Sequence, residues 1–241
     1  MTLRPERSTA QRHLYQSEHS RPAPHSMMGY AAMIFDLDGV LVDSEPLGLE
    51  AMRRVMARHG VTYTEAANEQ FLGVTTAESC RILKARHGLS ASEHELASQY
   101  VDNVLELIRA KPRPMPGVPA ILAALHGIGH RMALASSAER EVITTHLAAL
   151  DIGKFFEVVV SGIELLRSKP APDIFLETSR RLGVAPARCL VIEDSRNGLL
   201  AAKSAGMACA VVPCAATRHQ NFSEADYRLA ALTDLLELLE C

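Results

Sequence analysis

No stretch of this chain approaches the run of roughly 20 apolar residues that a membrane span requires, although 48% of its 241 residues are hydrophobic. Charge is not in excess either. With 25 basic and 28 acidic side chains the formal net charge is −3, which gives no general attraction to nucleic acid or to an anionic membrane. The five cysteines, Cys80, Cys189, Cys209, Cys214 and Cys241, are scattered and form no CxxC pair. That pattern argues against structural disulfides and a zinc site, and it fits a reducing cytoplasm. Repeats and low-complexity tracts are missing from the part expected to fold. What remains is a chain long enough to bury a sizeable core as one or two domains.

Residues 1–28 stand apart. Arg4, Arg7, Arg12, His13, His19, Arg21 and His25 are set among Ser, Pro and Gln without apolar periodicity, and no hydrophobic segment of the secretory kind interrupts them. Glu6 and Glu18 speak against a transit peptide. The expectation is a disordered tail, or a segment upstream of an effective start at Met27 or Met28.

After Pro46, Leu47, Leu49, Met52, Val55 and Met56 recur at helical spacing and stop near His59-Gly60. Further helices are predicted over 75–87 and 93–110, with Thr75 or Thr76 and Ser90 or Ser92 as starts. Strand-like alternation is absent between Pro46 and Lys111, so this part reads as a helical insert. Three prolines, Pro112, Pro114 and Pro116, then make a stiff connector. Beyond them the pattern alternates: helix 118–125, strand 131–135, helix 139–150, strand 158–160, helix 173–182, strand 189–192, helix 198–205, strand 208–212 and helix 233–239. Short, all-apolar strands between helices indicate a parallel sheet covered on both faces, to which the early run Met33 to Phe35 also belongs.

That early run ends in Asp36-Leu37-Asp38-Gly39. Residues two apart in a strand point to one side, so Asp36 and Asp38 would project together, with Gly39 letting the backbone turn away. Carboxylates held that close need a cation or a retained proton; either would suit an attacking carboxylate beside a proton donor. A pair of acidic turn residues is the plainer reading. Ligands of open parallel sheets sit beyond the carboxyl ends of the strands, and three more predicted strands deliver candidates there. Ser136 and Ser137 follow one, as an anion site or as helix caps. Lys169, followed by Pro170 and Pro172, comes after another, although a lone lysine is by default solvated. Glu193 and Asp194 end a third, as oxygen ligands that suit Mg²⁺, or with Asp194 or Ser195 as a cap.

The segment from Asp36 to Pro46, DLDGVLVDSEP, resembles the first motif of the haloacid dehalogenase-like hydrolase superfamily, in its phosphatase and phosphomutase branch. Lys169 with its prolines resembles the family's lysine motif, and Glu193-Asp194 its metal-binding motif, all in the family's order. The resemblance covers residues 32 to about 240. It implies an α/β fold with a Rossmann-like parallel-sheet core made of 29–45 and 116–241, and an inserted all-helical cap domain at 46–115. It also implies that Asp36 is the nucleophile and Asp38 the general acid and base. Mg²⁺ would be held by the carboxylates of Asp36 and Asp194, the carbonyl of Asp38 and, directly or through water, Glu193. Ser136, Ser137 and Lys169 would hold the phosphate, with Asn197 behind them.

Asp38 argues against dehalogenase chemistry, because dehalogenases of the family lack this acid. Glucose-phosphate mutases are similar at Lys169 to Phe175, but usually carry a histidine where Gly48 stands and a cap arginine near Thr76. Without a cap cation the distal phosphate of a bisphosphate loses its anchor. The expectation is therefore a Mg²⁺-dependent phosphatase of small phosphomonoesters, sugar phosphates among them, with a phosphomutase as the alternative. A non-catalytic binding protein is a third reading, disfavoured by the intact Asp36, Asp38, Lys169 and Asp194. Substrate choice would lie with Glu45 and Leu47 at the hinge and with the loop holding Gly73, Thr75 and Thr76. Arg53, Arg54 and Arg81 would either meet a second anionic group or face solvent. The expected partner is a small phosphate ester, with neither nucleic acid nor membrane, and the expected state a cytoplasmic monomer.

Overall fold

The computed structural model describes residues 29–71 and 74–238. The tail expected over residues 1–28 lies outside this range, as does Gly73. The chain opens with strand β1 (Ala32–Phe35), entirely buried. A helical section follows: α1 (Glu45–Arg58), the short α2 (Glu65–Asn68), α3 (Thr76–His87) and α4 (Glu93–Ala110). Side chains mark three of the starts, since Thr64 accepts from the Ala67 amide, Thr75 from the Glu78 amide and Ser92 from the Glu95 amide. The chain then returns through α5 (Val118–Gly127) and alternates: β2 (Arg131–Ser136), α6 (Arg140–Ala149), β3 (Val158–Ser161), α7 (Asp173–Leu182), β4 (Cys189–Glu193), α8 (Arg196–Ser204), β5 (Ala208–Val211), β6 (Tyr227–Arg228) and α9 (Asp234–Glu237).

Among the described residues the strands form one six-stranded sheet in the order β3-β2-β1-β4-β5-β6, and every pairing is parallel. The chain builds outward from β1 to β3 on one side, then crosses to β4 on the other. The order thus reverses beside β1, and such reversal points leave a crevice beyond the strand ends where ligands bind. Period-2 alternation splits the apolar side chains between the two faces. Met33, Phe35, Leu134 and Ile192 pack with α5 and α6, whereas Ile34, Ala133 and Val191 pack with α7 and α8.

The helical section has an apolar cluster of its own, including Met52, Val55, Met56, Leu83 and Leu96. A second cluster joins Leu47 and Ala51 of α1, and Leu105 and Ile108 of α4, to Val142 of α6. Its two connections to the core run side by side. The Asp43 amide donates to the Arg113 carbonyl at 2.9 Å and the Met115 amide to the Leu41 carbonyl at 2.9 Å, while Arg113 holds the Asp43 carboxylate at 2.7 Å. Two elements were not foreseen from the sequence, α2 and β6, of four and two residues. Among the described residues no helix is long and apolar enough to cross a membrane, and Cys80, Cys189, Cys209 and Cys214 are free thiols.

Candidate active site

Backbone hydrogen bonding carries β1 one residue further: the Asp36 amide donates to the Ile192 carbonyl of β4 at 2.9 Å. The chain then folds back on itself, with the Leu41 and Val42 amides both donating to the Leu37 carbonyl at 2.8 and 3.0 Å, and the Gly39 amide to that of Val42 at 2.9 Å. Asp36 is left buried and Asp38 half-buried. Gly39 has φ of 74°, as a turn away from the strand requires, and it serves a second purpose. A Cβ there would lie 2.3 Å from the Asp194 carboxylate. Gly198, at the start of α8, has the same relation to Glu193, whose carboxyl group a Cβ would meet at 1.8 Å. Glycine at both positions lets the acidic groups close in.

Lys169 ties the strands together. Its ammonium group donates to Asp36 Oδ1 at 2.6 Å, across 133 residues of sequence, and to Glu193 Oε1 at 2.6 Å. It also lies 3.4 Å from the Ala135 carbonyl of β2 and 5.0 Å above the Phe175 ring. The side chain is 8% exposed, so the solvated-lysine reading does not hold. The Lys169–Pro170 peptide bond is cis. Burial by itself would depress the Lys169 pKa, but the Asp36 and Glu193 carboxylates outweigh it and raise the value above that of an ordinary lysine. Asp36 is shifted up by its own burial, against the pull of Lys169 and with the push of Glu193 and Asp38.

The second acidic pair is equally fixed. Glu193 Oε2 accepts from the Asp194 amide at 3.0 Å, the Ser195 amide at 3.0 Å and the Ser195 hydroxyl at 2.9 Å. The Ser195 hydroxyl in turn caps α8, accepting from the Gly198 amide at 3.1 Å. Asp194 Oδ2 accepts from Cys214 Sγ and from Thr217 Oγ1, each at 3.2 Å. Neither Cys214 nor Thr217 was foreseen; they stand in the loop after β5, where no periodicity or motif marks them. Burial and the Glu193 charge nevertheless push the Asp194 pKa up to about 7.

Oxygens of Asp36, Glu193 and Asp194 lie within 4.8 Å of one another, all on buried residues. Lys169 touches two of the three, so buried negative charge is left over at Asp194, and the all-oxygen donor set fits a hard divalent cation. The Asp38 carboxylate is not in this trio; the resemblance gives that residue a carbonyl role instead. Ser136 ends β2 fully buried, with its Oγ accepting from the Ala138 amide at 3.1 Å. It does not cap α6, which begins at Arg140. Ser161 Oγ donates to the Ala138 carbonyl at 2.7 Å and pins the same loop. Ser137 and Asn197 are exposed.

The expected cap residues part company. Glu45 and Thr76 line a cavity of about 160 Å³ within the helical section, together with Gly48, Tyr63, Asn68 and Tyr100. Thr75 is not on its wall, and its hydroxyl accepts from the Glu78 amide at the start of α3. Leu47 is buried against α4 and Val142. The arginines are spoken for: Arg54 pairs with Glu50 at 3.1 Å and Glu106 at 3.3 Å, Arg81 with Glu78 at 2.6 Å, and Arg53 donates to the Tyr63 carbonyl at 3.4 Å.

The family model described as haloacid dehalogenase-like hydrolase matches residues 33–212. A phosphorylated carbohydrates phosphatase of Thermotoga maritima is 36% identical over 176 residues, 73% of this chain and 82% of that protein. The crystal structure of CbbY from Rhodobacter sphaeroides in complex with phosphate superposes with a TM-score of 0.79 at 27% identity, covering 88% of this chain and 100% of that one. The β-phosphoglucomutase of Clostridium difficile superposes with a TM-score of 0.71 at 25% identity, over 88% of this chain and 97% of that one.

Proposed function

The chain belongs to the haloacid dehalogenase-like hydrolase family, and we propose that it is a Mg²⁺-dependent phosphatase of small phosphomonoesters, sugar phosphates among them, working through a phosphoryl group carried on Asp36. The observation that supports this most is the convergence of Asp36, Lys169 and Glu193 from three strand ends, with Lys169 bonded to both carboxylates at 2.6 Å. Lys169 neutralises Asp36 and stands ready to meet the oxygens of a transferring phosphoryl group, where charge develops. Asp36 then attacks phosphorus and the alkoxide leaves; Asp38, half-buried two residues further on, protonates it and afterwards takes the proton of the attacking water.

The cation would be held by Asp36, Asp194 and the Asp38 carbonyl. When bound it would supply positive charge to the acidic cluster and to the phosphate. Both oxygens of Glu193 are already engaged by Lys169, by two amides and by Ser195, which favours the water-mediated role for this residue. Ser136 and the amides behind it complete the phosphate site. Residues 46–115 act as the cap over it.

Asp36→Asn is expected to lower kcat by about 10⁴-fold or more, the scale on which loss of a nucleophile acts. Asp38→Asn should slow esters with poor leaving groups most. Phosphate-release assays with and without excess chelator check both; near-normal turnover by the Asp36 variant would remove it from the nucleophile role. The phosphomutase alternative is tested by offering β-glucose 1-phosphate with a bisphosphate primer. Phosphate release without isomerisation is expected, and clean isomerisation would reverse the assignment.

A further inference from the structure

The cavity of about 160 Å³ in the helical section is tied to the catalytic loop: Glu45, on its wall, is the first residue of α1 and lies three residues after the Leu37–Val42 turn that carries Asp38. No lysine, arginine or histidine lines it among the described residues. The wall is instead built of neutral hydrogen-bonding groups. Tyr63 donates to Asn68 Oδ1 at 3.1 Å, presetting that pair. Thr76 adds a hydroxyl.

Tyr100, midway along α4, reaches across to α1, and its hydroxyl sits 3.0 Å from where a Cβ on Gly48 would be. A side chain at Gly48 would press against it. Burial, followed by the charges of Asp38, Glu45 and Glu139, holds the Tyr100 pKa above that of an ordinary phenol, so the group stays a donor. The volume falls below the roughly 300–1,000 Å³ of sites for drug-sized ligands, which suits a short alcohol and not a nucleoside.

We propose that this cavity takes the leaving-group half of the substrate and that Tyr100, in the gap left by Gly48, together with Glu45, selects an uncharged polyhydroxy alcohol and turns away a second anionic group. The inference rests on the phosphatase reading and deepens it. A hydroxyl-rich chain offers acceptors to Tyr100 and donors to Glu45. A second phosphate or a carboxylate would meet Glu45 with no lysine, arginine or histidine among the described wall residues to offset it, a like-charge juxtaposition that disfavours binding.

The test compares kcat/KM of the wild-type, Tyr100→Phe and Glu45→Gln enzymes on a hexitol monophosphate, a hexose bisphosphate, phosphoglycolate and para-nitrophenyl phosphate. Wild type should prefer the hexitol monophosphate over the bisphosphate and phosphoglycolate by about 100-fold. Tyr100→Phe should lower the ratio of hexitol monophosphate to para-nitrophenyl phosphate by about tenfold, the worth of one hydrogen bond. Glu45→Gln should narrow the discrimination against the bisphosphate by a similar factor. Equal or better use of the bisphosphate by wild type, or equal losses on every substrate in both variants, would overturn the inference while leaving the phosphatase reading standing. Absence of turnover even on para-nitrophenyl phosphate would overturn the phosphatase reading, and the inference with it.

Discussion

Around Asp36 the chain buries three carboxylates and an ammonium group within a few ångströms of one another, and two glycines give up their side chains so that the acids fit. Around Tyr100, a short way up the same molecule, the wall is neutral among the described residues apart from Glu45, and its one internal hydrogen bond joins Tyr63 to Asn68. The floor is a closed network in which each group's position depends on the others. The pocket is a set of separate contacts awaiting a ligand. Substitutions in the floor should therefore disturb fold and chemistry together, whereas those in the pocket should act on substrate choice with little cost to the fold.

The largest effect is expected at Lys169. Lys169→Met leaves Asp36 and Glu193 buried without their partner, a loss of about 3–5 kcal/mol by analogy with broken buried ion pairs, readable in urea unfolding. Tyr100→Phe should cost under about 1 kcal/mol in the same assay, since its hydroxyl has no hydrogen-bond partner among the described residues. Similar losses for the two would erase the distinction drawn between floor and pocket. Next in size is Gly198→Ala, expected to cost about 3 kcal/mol because its Cβ would collide with the Glu193 carboxyl group at 1.8 Å. Gly127→Ala, in α5 with nothing within 4 Å, serves as the control and should gain about 0.5 kcal/mol.

The smallest effect lies at the seam between the regions. His146 of α6 is 1% exposed, and its Nδ1 finds no partner among the described residues. Burial lowers its pKa below 6.5, only partly opposed by Asp38. The unfolded chain thus takes up this proton before the folded one, and the stability the neutral ring contributes above pH 6.5 is lost as pH falls below that value. Melting temperatures from about pH 7 to about pH 5 should drop less steeply for His146→Leu than for wild type. Parallel curves would show that His146 does not set the slope.

The two regions also differ in how well they could be read beforehand. Asp36, Glu193 and Asp194 stand at the ends of all-apolar strands, where hydrophobic patterning stops, whereas Lys169 lies eight residues beyond the end of β3 and is marked only by its flanking prolines. Even so, the reason for Gly198 was invisible, because nothing local reports the approach of Glu193. Cys214 and Thr217 lie in a loop without a pattern, and their tie to Asp194 depends on how β5 leaves the sheet. Tyr100 falls at helical spacing on α4 and reads as ordinary packing; only the crossing of α4 and α1 brings it to Gly48. Thr75 reads both as a helix start and as a substrate contact; its hydroxyl accepts from the Glu78 amide as the α3 cap, and its place off the cavity wall could not be read from the sequence. The α/β alternation was legible because its periods persist over many residues, while α2 and β6 are too short to establish one.

The central claim is that Asp36 takes the phosphoryl group. Asp38→Asn enzyme mixed with para-nitrophenyl phosphate needs little help with the leaving group but lacks the base that clears the intermediate, so the phosphorylated form should accumulate. Acid quenching followed by peptide mass spectrometry should find one phosphoryl group, on Asp36. Phosphate release with no covalent label, or a label on any other residue, would contradict the account.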